Sequence, residues 1–232
     1  MTNQDKVFLI TGASSGIGAA TARAAHAAGY RLVLAARSQD KLAALQEELG
    51  PDTLTLRCDV TSVEDQRAVV AAALVRFGQL DIVFANAGIG GSPGGFAKAD
   101  PERWKSMILT NVYGVGLTVQ ASLDALKKSR GHLLLTGSVA GRRTLKGSMY
   151  SATKWAVSAI GYGVREELTG SGVRVTLIEP GMVDTPFFDD PKPQALRAED
   201  VANSVMYAVS QPPTVDVHEL MVLPTPPINS GD

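Results

Sequence analysis

The sequence predicts an α/β fold built on a parallel sheet that helices cover on both faces. Short apolar runs rich in valine, leucine and isoleucine alternate with alanine- and leucine-rich helical stretches along the whole chain. Right-handed crossovers between parallel strands place the intervening helices on both faces of such a sheet. The 232 residues contain no recognisable linker or repeat, so we expect a single domain over 1–232.

Seven strands are predicted, each from a short run of mostly apolar residues. They are expected at 6–12, 30–37, 53–60, 80–88, 131–138, 172–181 and 218–224. Several of these runs are apolar at consecutive positions, which is typical of strands buried on both faces. His132, near the start of the fifth run, is predicted to be a surface turn residue.

Six helices alternate with these strands, at 16–28, 38–49, 62–77, 101–128, 150–169 and 199–210. Gly29 ends the first helix, and Ser38 is the predicted N-cap of the second. Lysines and an arginine end the long fourth helix, where cations interact favourably with the helix dipole. The proline-rich stretches 211–213 and 224–232 are predicted to be irregular.

Composition and charge exclude several classes of protein. The net charge is −1 and the basic residues are scattered, so no strong field attracts nucleic acid or an anionic membrane. No signal peptide and no run of about 18 apolar residues is present, so we expect a cytoplasmic protein that does not span a membrane. Cys58 is the only cysteine and the three histidines are far apart, so neither a disulfide nor a metal site is expected.

A glycine-rich turn follows the first predicted strand and leads into the first helix. It reads TGASSGIG at 11–18, with glycines in a G-x-x-x-G-x-G spacing rather than the common G-x-G-x-x-G. Glycine allows a tight turn and lets a pyrophosphate approach backbone amides at the helix N-terminus. The turn therefore predicts dinucleotide binding by Gly12, Ser14, Ser15, Gly16, Ile17 and Gly18, the alternative being a glycine-rich loop without a ligand.

The end of the second strand indicates which dinucleotide is bound. Folds that bind NAD place an acid near this position, against the ribose 2′-hydroxyl. Here the strand ends in Ala35-Ala36-Arg37, without a carboxylate. Arg37 can grip a 2′-phosphate through charge-assisted hydrogen bonds, which predicts NADP(H) rather than NAD(H). The alternative is an ordinary surface arginine.

Tyr150 and Lys154 lie four residues apart on a predicted helix, so their side chains share a face. A nearby ammonium favours the phenolate, and lowering a tyrosine pKa from about 10 toward 7 requires roughly 4 kcal/mol. We expect Lys154 and the positive charge of an oxidised nicotinamide to supply it together. Tyr150 would then exchange a proton with an alcohol or carbonyl oxygen that Ser138 also holds. The alternative is a half-buried pair without catalytic function.

The motifs, taken in order, resemble the short-chain dehydrogenase/reductase family over 6–185. The markers are TGASSGIG, Asp59 after the third strand, Asn86-Ala87-Gly88 after the fourth, Asn111, Ser138, Tyr150-x-x-x-Lys154, and Pro180-Gly181 with Thr185. The resemblance implies a doubly wound, seven-stranded parallel sheet of the Rossmann type, with cofactor and substrate at the carboxyl edge of its strands.

The resemblance also implies roles for individual residues. Asp59 and Val60 would lie beside the adenine, Asn86, Ala87 and Gly88 along the cofactor, and Pro180, Gly181 and Thr185 near the nicotinamide. Tyr150 and Lys154 would contact the cofactor as well, with Lys154 on the nicotinamide ribose. Asn111 would hold a water that passes protons to solvent, and a local helix distortion within 109–116 would admit that water.

Three loops, at 89–99, 139–149 and 182–197, are expected to surround the substrate. Met149, Met182, Phe187 and Phe188 would provide apolar contacts for a neutral aldehyde or ketone. Arg142, Arg143 and Lys146 would instead suit an anionic substrate, or simply form a solvated face. Sequence alone leaves both possibilities open.

The predicted function is an NADP(H)-dependent alcohol dehydrogenase or carbonyl reductase acting on a small molecule. One alternative is a reductase of 3-oxoacyl groups linked to a carrier or to CoA. Another is an NADPH-binding scaffold without catalysis. The helices carrying Asn111 and Tyr150 are apolar on more than one face, so a homodimer or homotetramer is expected.

Overall fold

The computed structural model describes residues 5–91 and 93–226, and its strands and helices alternate as predicted. The strands are β1 Val7–Thr11, β2 Arg31–Ala36, β3 Thr53–Arg57, β4 Ile82–Ala85, β5 His132–Thr136, β6 Arg174–Pro180, β7 Val183–Asp184, β8 Leu196–Arg197 and β9 Glu219–Val222. The helices are α1 Gly16–Ala27, α2 Gln39–Leu49, α3 Val63–Phe77, α4 Gly95–Lys98, α5 Pro101–Ile108, α6 Gly114–Ser129, α7 Met149–Glu167 and α8 Ala198–Ser210.

Seven strands form one sheet in the order β3-β2-β1-β4-β5-β6-β9, with every neighbouring pair parallel. The chain builds outward from β1 to β3 and then returns to place β4 on the other side of β1. The prediction of a doubly wound, seven-stranded parallel sheet in a single domain is confirmed. Where the direction of building reverses, the crossovers diverge and leave a crevice at the carboxyl ends of β1 and β4.

The sheet is covered on both faces because alternate residues of each strand point to opposite sides. Phe8 and Ile10 of β1 pack with residues of α1, α2 and α8. Val7 and Leu9, from the same strand, pack with residues of α3, α6 and α7 on the other face. Each strand therefore anchors two cores, and the loops at its end are held from both sides.

The strands end earlier than predicted at the edge where ligands bind in such folds. β3 ends at Arg57, β4 at Ala85 and β5 at Thr136, so Asp59, Gly88 and Ser138 lie in loops. In these loops, polar side chains and backbone groups face the crevice, and the backbone groups do not pair with a neighbouring strand. The early ends increase the number of groups available to a ligand.

The long helix predicted at 101–128 is interrupted. A π-helical turn at Leu109–Tyr113 separates α5 from α6, so the distortion expected within 109–116 is confirmed. Three small elements were not predicted: α4, the two-stranded β7–β8 sheet, and a 3₁₀ turn at Val139–Gly141. Each is only two to four residues long, too short for a periodic pattern to reveal it.

His132 is a buried strand residue, and its prediction as a surface turn residue was wrong. It begins β5, and its backbone amide donates to the Asp81 carbonyl. The Thr176 hydroxyl donates to the Val217 carbonyl and lies 2.7 Å from His132 Nε2, which therefore carries the imidazole proton. Burial holds the pKa of His132 well below its usual value, so the ring is neutral.

The tail expected to be irregular lies partly outside the described residues, which end at residue 226. Over the chain as far as it is described, no helix combines the length and the apolar character needed to cross a membrane.

Candidate active site

A cavity of about 650 Å³ opens at the carboxyl edge of the sheet, in the crevice between β1 and β4. The loops that follow β1, β2, β3, β4, β5 and β6 all contribute to its walls. Seventeen of the nineteen residues predicted to bind the cofactor or to act in catalysis line this one cavity. They are Gly12, Ser14, Ser15, Gly16, Ile17, Arg37, Asp59, Val60, Asn86, Ala87, Gly88, Tyr150, Lys154, Pro180, Gly181 and Thr185, with Ser138 beside them.

The two named residues that do not line the cavity are Gly18 and Asn111. Gly18 lies against the turn itself, where a Cβ would come 2.3 Å from the Gly12 carbonyl oxygen. Asn111 lies next to Gly88, on the side where a Gly88 side chain would project.

The glycine-rich turn has the shape that a pyrophosphate requires. Gly12 adopts φ +66° and Gly16 φ +52°, left-handed conformations that side chains disfavour. A Cβ on Gly12 would also come 2.8 Å from the Ala87 Cα. The Ser15 side chain makes no capping hydrogen bond to α1. The first-turn amides and the positive end of the helix dipole therefore face the cavity and suit a phosphate group.

Cationic and hydroxyl groups line the cavity where β2 ends. Arg37 and Lys41 both face it, with Ser38 between them. Ser38 is the N-cap residue of α2, as predicted, but its side chain makes no capping hydrogen bond. Its hydroxyl therefore remains available to a ligand. Lys41 was missed from the sequence, although its position in the first turn of the helix after Arg37 was a signal.

Asp59 lines the cavity on the opposite side of this niche. Its Oδ1 accepts hydrogen bonds from the Thr61 amide and hydroxyl, at 3.0 and 2.8 Å. These bonds, together with Arg37 and Arg57, hold the pKa of Asp59 below its usual value. The carboxylate is thus ionised and fixed in orientation at neutral pH.

Asn86 joins three strand ends at the middle of the cavity. Its Nδ2 donates to the Thr11 carbonyl at 3.0 Å, and its Oδ1 accepts from the Thr136 hydroxyl at 3.1 Å. The Thr136 carbonyl in turn accepts from Lys154 Nζ at 2.7 Å. A chain of hydrogen bonds therefore runs from the glycine-rich turn to the lysine of α7.

Ser138, Tyr150 and Lys154 meet at the inner end of the cavity. Ser138 follows β5 and accepts a hydrogen bond from the Ala140 amide at 3.1 Å, which orients its hydroxyl. Tyr150 and Lys154 lie one turn apart near the start of α7, and Lys154 Nζ is 5.7 Å from the centre of the Tyr150 ring. Lys154 is only 5% exposed.

The lowering of the Tyr150 pKa expected from Lys154 together with an oxidised nicotinamide stays a prediction, but Lys154 by itself does not lower this pKa. Burial raises the pKa of Tyr150 to about 12, and a hydrogen bond with Ser138 opposes this only in part. Burial also lowers the pKa of Lys154 to about 8. The reason is geometric: the ammonium faces the ring and the Thr136 carbonyl rather than the phenol oxygen. Tyr150 is therefore protonated at neutral pH and suited to donate a proton.

Asn111 is buried in the π-helical turn, and protein groups hydrogen-bond to both the oxygen and the nitrogen of its amide. Oδ1 accepts from the Ile89 amide at 2.9 Å, and Nδ2 donates to the Ile89 carbonyl at 3.0 Å and to the Thr153 hydroxyl at 3.2 Å. A Cβ on Gly88 would lie 3.3 Å from Asn111 Oδ1 and 3.9 Å from Lys154 Nζ. The absence of a side chain at Gly88 thus leaves space between these two groups.

The outer end of the cavity is apolar. Its walls include Leu145, Met182, Pro186, Phe187 and Phe188, whereas Met149 does not line it. The Phe187 ring packs edge-on against Tyr150, with centroids 5.7 Å apart. All three predicted substrate loops contribute to the cavity wall, since Ile89 and Gly91 of the loop 89–99 line it as well.

The basic residues considered for an anionic substrate do not line the cavity. Arg142 pairs with Glu179 at 2.7 Å and with Glu219 at 2.6 Å, and its guanidinium lies over the Tyr162 ring. Arg143 and Lys146 are exposed on the surface outside the cavity. The two acids are far from Arg142 in sequence, so the spacing of basic residues gave no sign of this pairing.

The sequence of this chain is similar to those of known oxidoreductases. The sequence model of the family described as short chain dehydrogenase matches residues 6–195. An uncharacterized oxidoreductase of Staphylococcus aureus (strain MW2) is 40% identical over 226 residues, covering 95% of this chain and 97% of the relative. The matched range 6–195 includes every described loop that lines the cavity.

Solved structures show the same similarity in three dimensions. An alcohol dehydrogenase from the archaeon Thermococcus sibiricus, complexed with 5-hydroxy-NADP, is 35% identical with a TM-score of 0.88, covering 96% of this chain and 99% of its own. A serine dehydrogenase from Escherichia coli is 31% identical with a TM-score of 0.86, covering 94% of this chain and 97% of its own.

Proposed function

This chain belongs to the short-chain dehydrogenase/reductase family of oxidoreductases, and from that premise we propose that it interconverts a carbonyl and an alcohol using NADP(H). The observation that carries the proposal is the meeting of Ser138, Tyr150 and Lys154 in the same cavity as the glycine-rich turn. A bound dinucleotide and a proton donor would then face one substrate.

The side chains divide the work of carbonyl reduction. Bound NADPH would supply the hydride that reduces the carbonyl carbon. The Tyr150 hydroxyl donates the proton that the carbonyl oxygen takes up, so that one hydride and one proton yield the alcohol. The Ser138 hydroxyl donates a hydrogen bond to the same oxygen and positions it. In the reverse direction, Tyr150 takes the proton back as the alcohol is oxidised.

Lys154 has two tasks in this scheme. Its ammonium would release the Thr136 carbonyl and bind the nicotinamide ribose, where it stabilises the charge that develops on Tyr150. Asn111 Oδ1 would accept a hydrogen bond from a water in the space beside Gly88, and this water would connect Lys154 with solvent.

The preference for NADP(H) is proposed from the cationic niche after β2. Arg37 and Lys41 face the cavity together with the free hydroxyl of Ser38. These groups suit a 2′-phosphate, which carries more charge than the 2′-hydroxyl of NAD. Asp59, across the niche, is oriented by Thr61 and leaves Arg37 free of a direct carboxylate partner among the described residues.

Replacing Arg37 by aspartate tests this preference. Loss of the charge-assisted bonds should raise the dissociation constant of NADPH roughly tenfold to a hundredfold, with little change for NADH. Fluorescence titration of both cofactors measures the two constants. Arg103→Asp is the matched control, because Arg103 is exposed on α5 outside the cavity. Equal affinity of the original protein for the two cofactors would contradict the proposal.

The activity itself is tested by NADPH consumption with a panel of aldehydes, ketones, 2- and 3-oxo acids and diketones. Turnover of at least one class, lost on removal of the Tyr150 hydroxyl, is the expected result. NADPH binding without oxidation by any carbonyl would favour the scaffold alternative. Preferential reduction of 3-oxoacyl thioesters would favour the carrier- or CoA-linked alternative.

Several expectations stay predictions. They are the action of 1–232 as one catalytic domain with substrate loops 89–99, 139–149 and 182–197, a cytoplasmic location, and a homodimer or homotetramer. The exposure of Ile108, Leu109, Tyr113 and Trp155 on the helices around the π-helical turn supports self-association.

A further inference from the structure

The charges around the cavity are distributed unevenly. Among the described residues that line it, the charged ones are Arg37, Lys41, Asp59 and Lys154. Arg37 and Asp59 lie just after β2 and β3, and Lys41 lies in the first turn of α2. Lys154 lies at the catalytic end. The outer walls near Tyr150 carry none. Lys192 Nζ lies 5.6 Å from the centre of the Phe188 ring, but Lys192 does not line the cavity. A carboxylate or phosphate bound there would therefore lose its hydration without gaining a cationic partner on the outer wall.

The Phe187 ring forms part of the cavity wall beside the catalytic tyrosine. It packs edge-on against Tyr150 at 5.7 Å and against Phe188 at 5.2 Å between ring centroids. Phe187 is 39% exposed, so part of the ring remains open to a ligand. An apolar or aromatic group beside Tyr150 would therefore find a ring surface to pack against.

The segment that carries Phe187 is anchored at both ends. β7 pairs with β8, and the Lys192 amide donates to Asp184 Oδ1 at 3.0 Å. The Phe187 ring also passes close to the opposite loop, since a Cβ on Gly90 would lie 3.1 Å from Phe187 Cε1. The position of the ring thus depends on glycine at residue 90.

We propose that the enzyme acts on neutral carbonyl compounds with a bulky apolar substituent, and that Phe187 is the specificity-determining residue that packs against this substituent. This inference rests on the proposed function and names its substrate class. It favours a neutral ketone or aldehyde over a 2-oxo acid and over a phosphorylated carrier.

The substrate class is tested with three carbonyl compounds, compared in pairs that differ by a single feature. Methyl phenylglyoxylate and phenylglyoxylate differ in charge, whereas methyl phenylglyoxylate and methyl pyruvate differ in the aryl group. With NADPH, we expect kcat/KM for the aryl ester to exceed that for the other two by roughly tenfold to a hundredfold. Equal or faster reduction of phenylglyoxylate would overturn the inference while leaving the proposed function intact.

Substitutions at and near Phe187 test whether this residue determines substrate specificity. Phe187→Ala should lower the ratio of kcat/KM for methyl phenylglyoxylate to that for methyl pyruvate roughly tenfold or more. Phe96→Ala is the matched control, because Phe96 is exposed and lies outside the cavity. Gly90→Ala, which displaces the ring without removing it, should shift the same ratio in the same direction. An equal loss for both esters in Phe187→Ala would overturn the role of Phe187.

A binding measurement separates failure of this inference from failure of the proposed function. Calorimetry of the NADPH complex compares methyl benzoate with benzoate, neither of which is reduced. Binding of the ester alone, weakened in Phe187→Ala, supports the inference even if no carbonyl is turned over. Tighter binding of benzoate, or binding of neither, overturns it.

Discussion

Tyr150→Phe lowers kcat for carbonyl reduction by roughly a hundredfold to ten-thousandfold, the range that general acid catalysis supplies. The variant removes one oxygen, that of the hydroxyl that hydrogen-bonds with Ser138 and donates the proton in the proposed reaction. Burial raises the pKa of Tyr150 to about 12, so the tyrosine holds its proton across the working range of pH. Steady-state kinetics with the best substrate of the panel measures the loss.

The NADPH dissociation constant of Tyr150→Phe should stay within about twofold of the original, because the ring and its packing are retained. Tyr207→Phe serves as the control, since Tyr207 is exposed on α8 outside the cavity. A Tyr150→Phe enzyme that keeps most of its rate would contradict the assignment of Tyr150 as the proton donor.

Lys154→Met makes the protein more stable and removes its activity. Burial lowers the pKa of Lys154 from 10.5 to about 8, which corresponds to about 3 kcal/mol of folding free energy lost at neutral pH. The substitution also removes the hydrogen bond from Lys154 to the Thr136 carbonyl, which lowers the free energy of unfolding by about 1 kcal/mol. The net expectation is about 2 kcal/mol, or a rise in Tm of roughly 4 to 8 °C at pH 7.

The pH dependence of the stability difference shows whether the buried charge of Lys154 is its cause. Below pH 8 both folded and unfolded forms carry the Lys154 proton, and the folded form bears the full cost of the buried charge. Between about 8 and 10.5 the folded form loses this proton first, so the original protein gains stability relative to Lys154→Met as pH rises. Melting curves of both proteins from pH 7 to 10 measure the difference, with the exposed Lys146→Met as control. A difference that does not change with pH would contradict this account.

Local patterns sufficed to predict the parts of the fold and site that depend on neighbours in sequence. Alternating apolar runs predicted the sheet, because strand and helix periodicities are set within a few residues. The glycine-rich turn and the Tyr150–Lys154 spacing were found for the same reason. Both depend on contacts within one or two turns of the chain.

Properties set by distant contacts could not be predicted. Arg142 looked available for an anion, but Glu179 and Glu219 reach it from β6 and β9. Lys154 was expected to contribute to lowering the pKa of Tyr150, yet the protein groups alone raise this pKa through burial by several elements.

The π-helical turn at Leu109–Tyr113 has a consequence for the whole of α6. A π turn holds one residue more than the α-helical turn it replaces, and each residue of an α-helix advances the chain by about 100°. Loss of a single residue there would change the phase of α6, rotating Val115 and Val119 away from the core they now fill. The surplus residue that presents Asn111 to Ile89 therefore also sets the angular register of the helix that follows it.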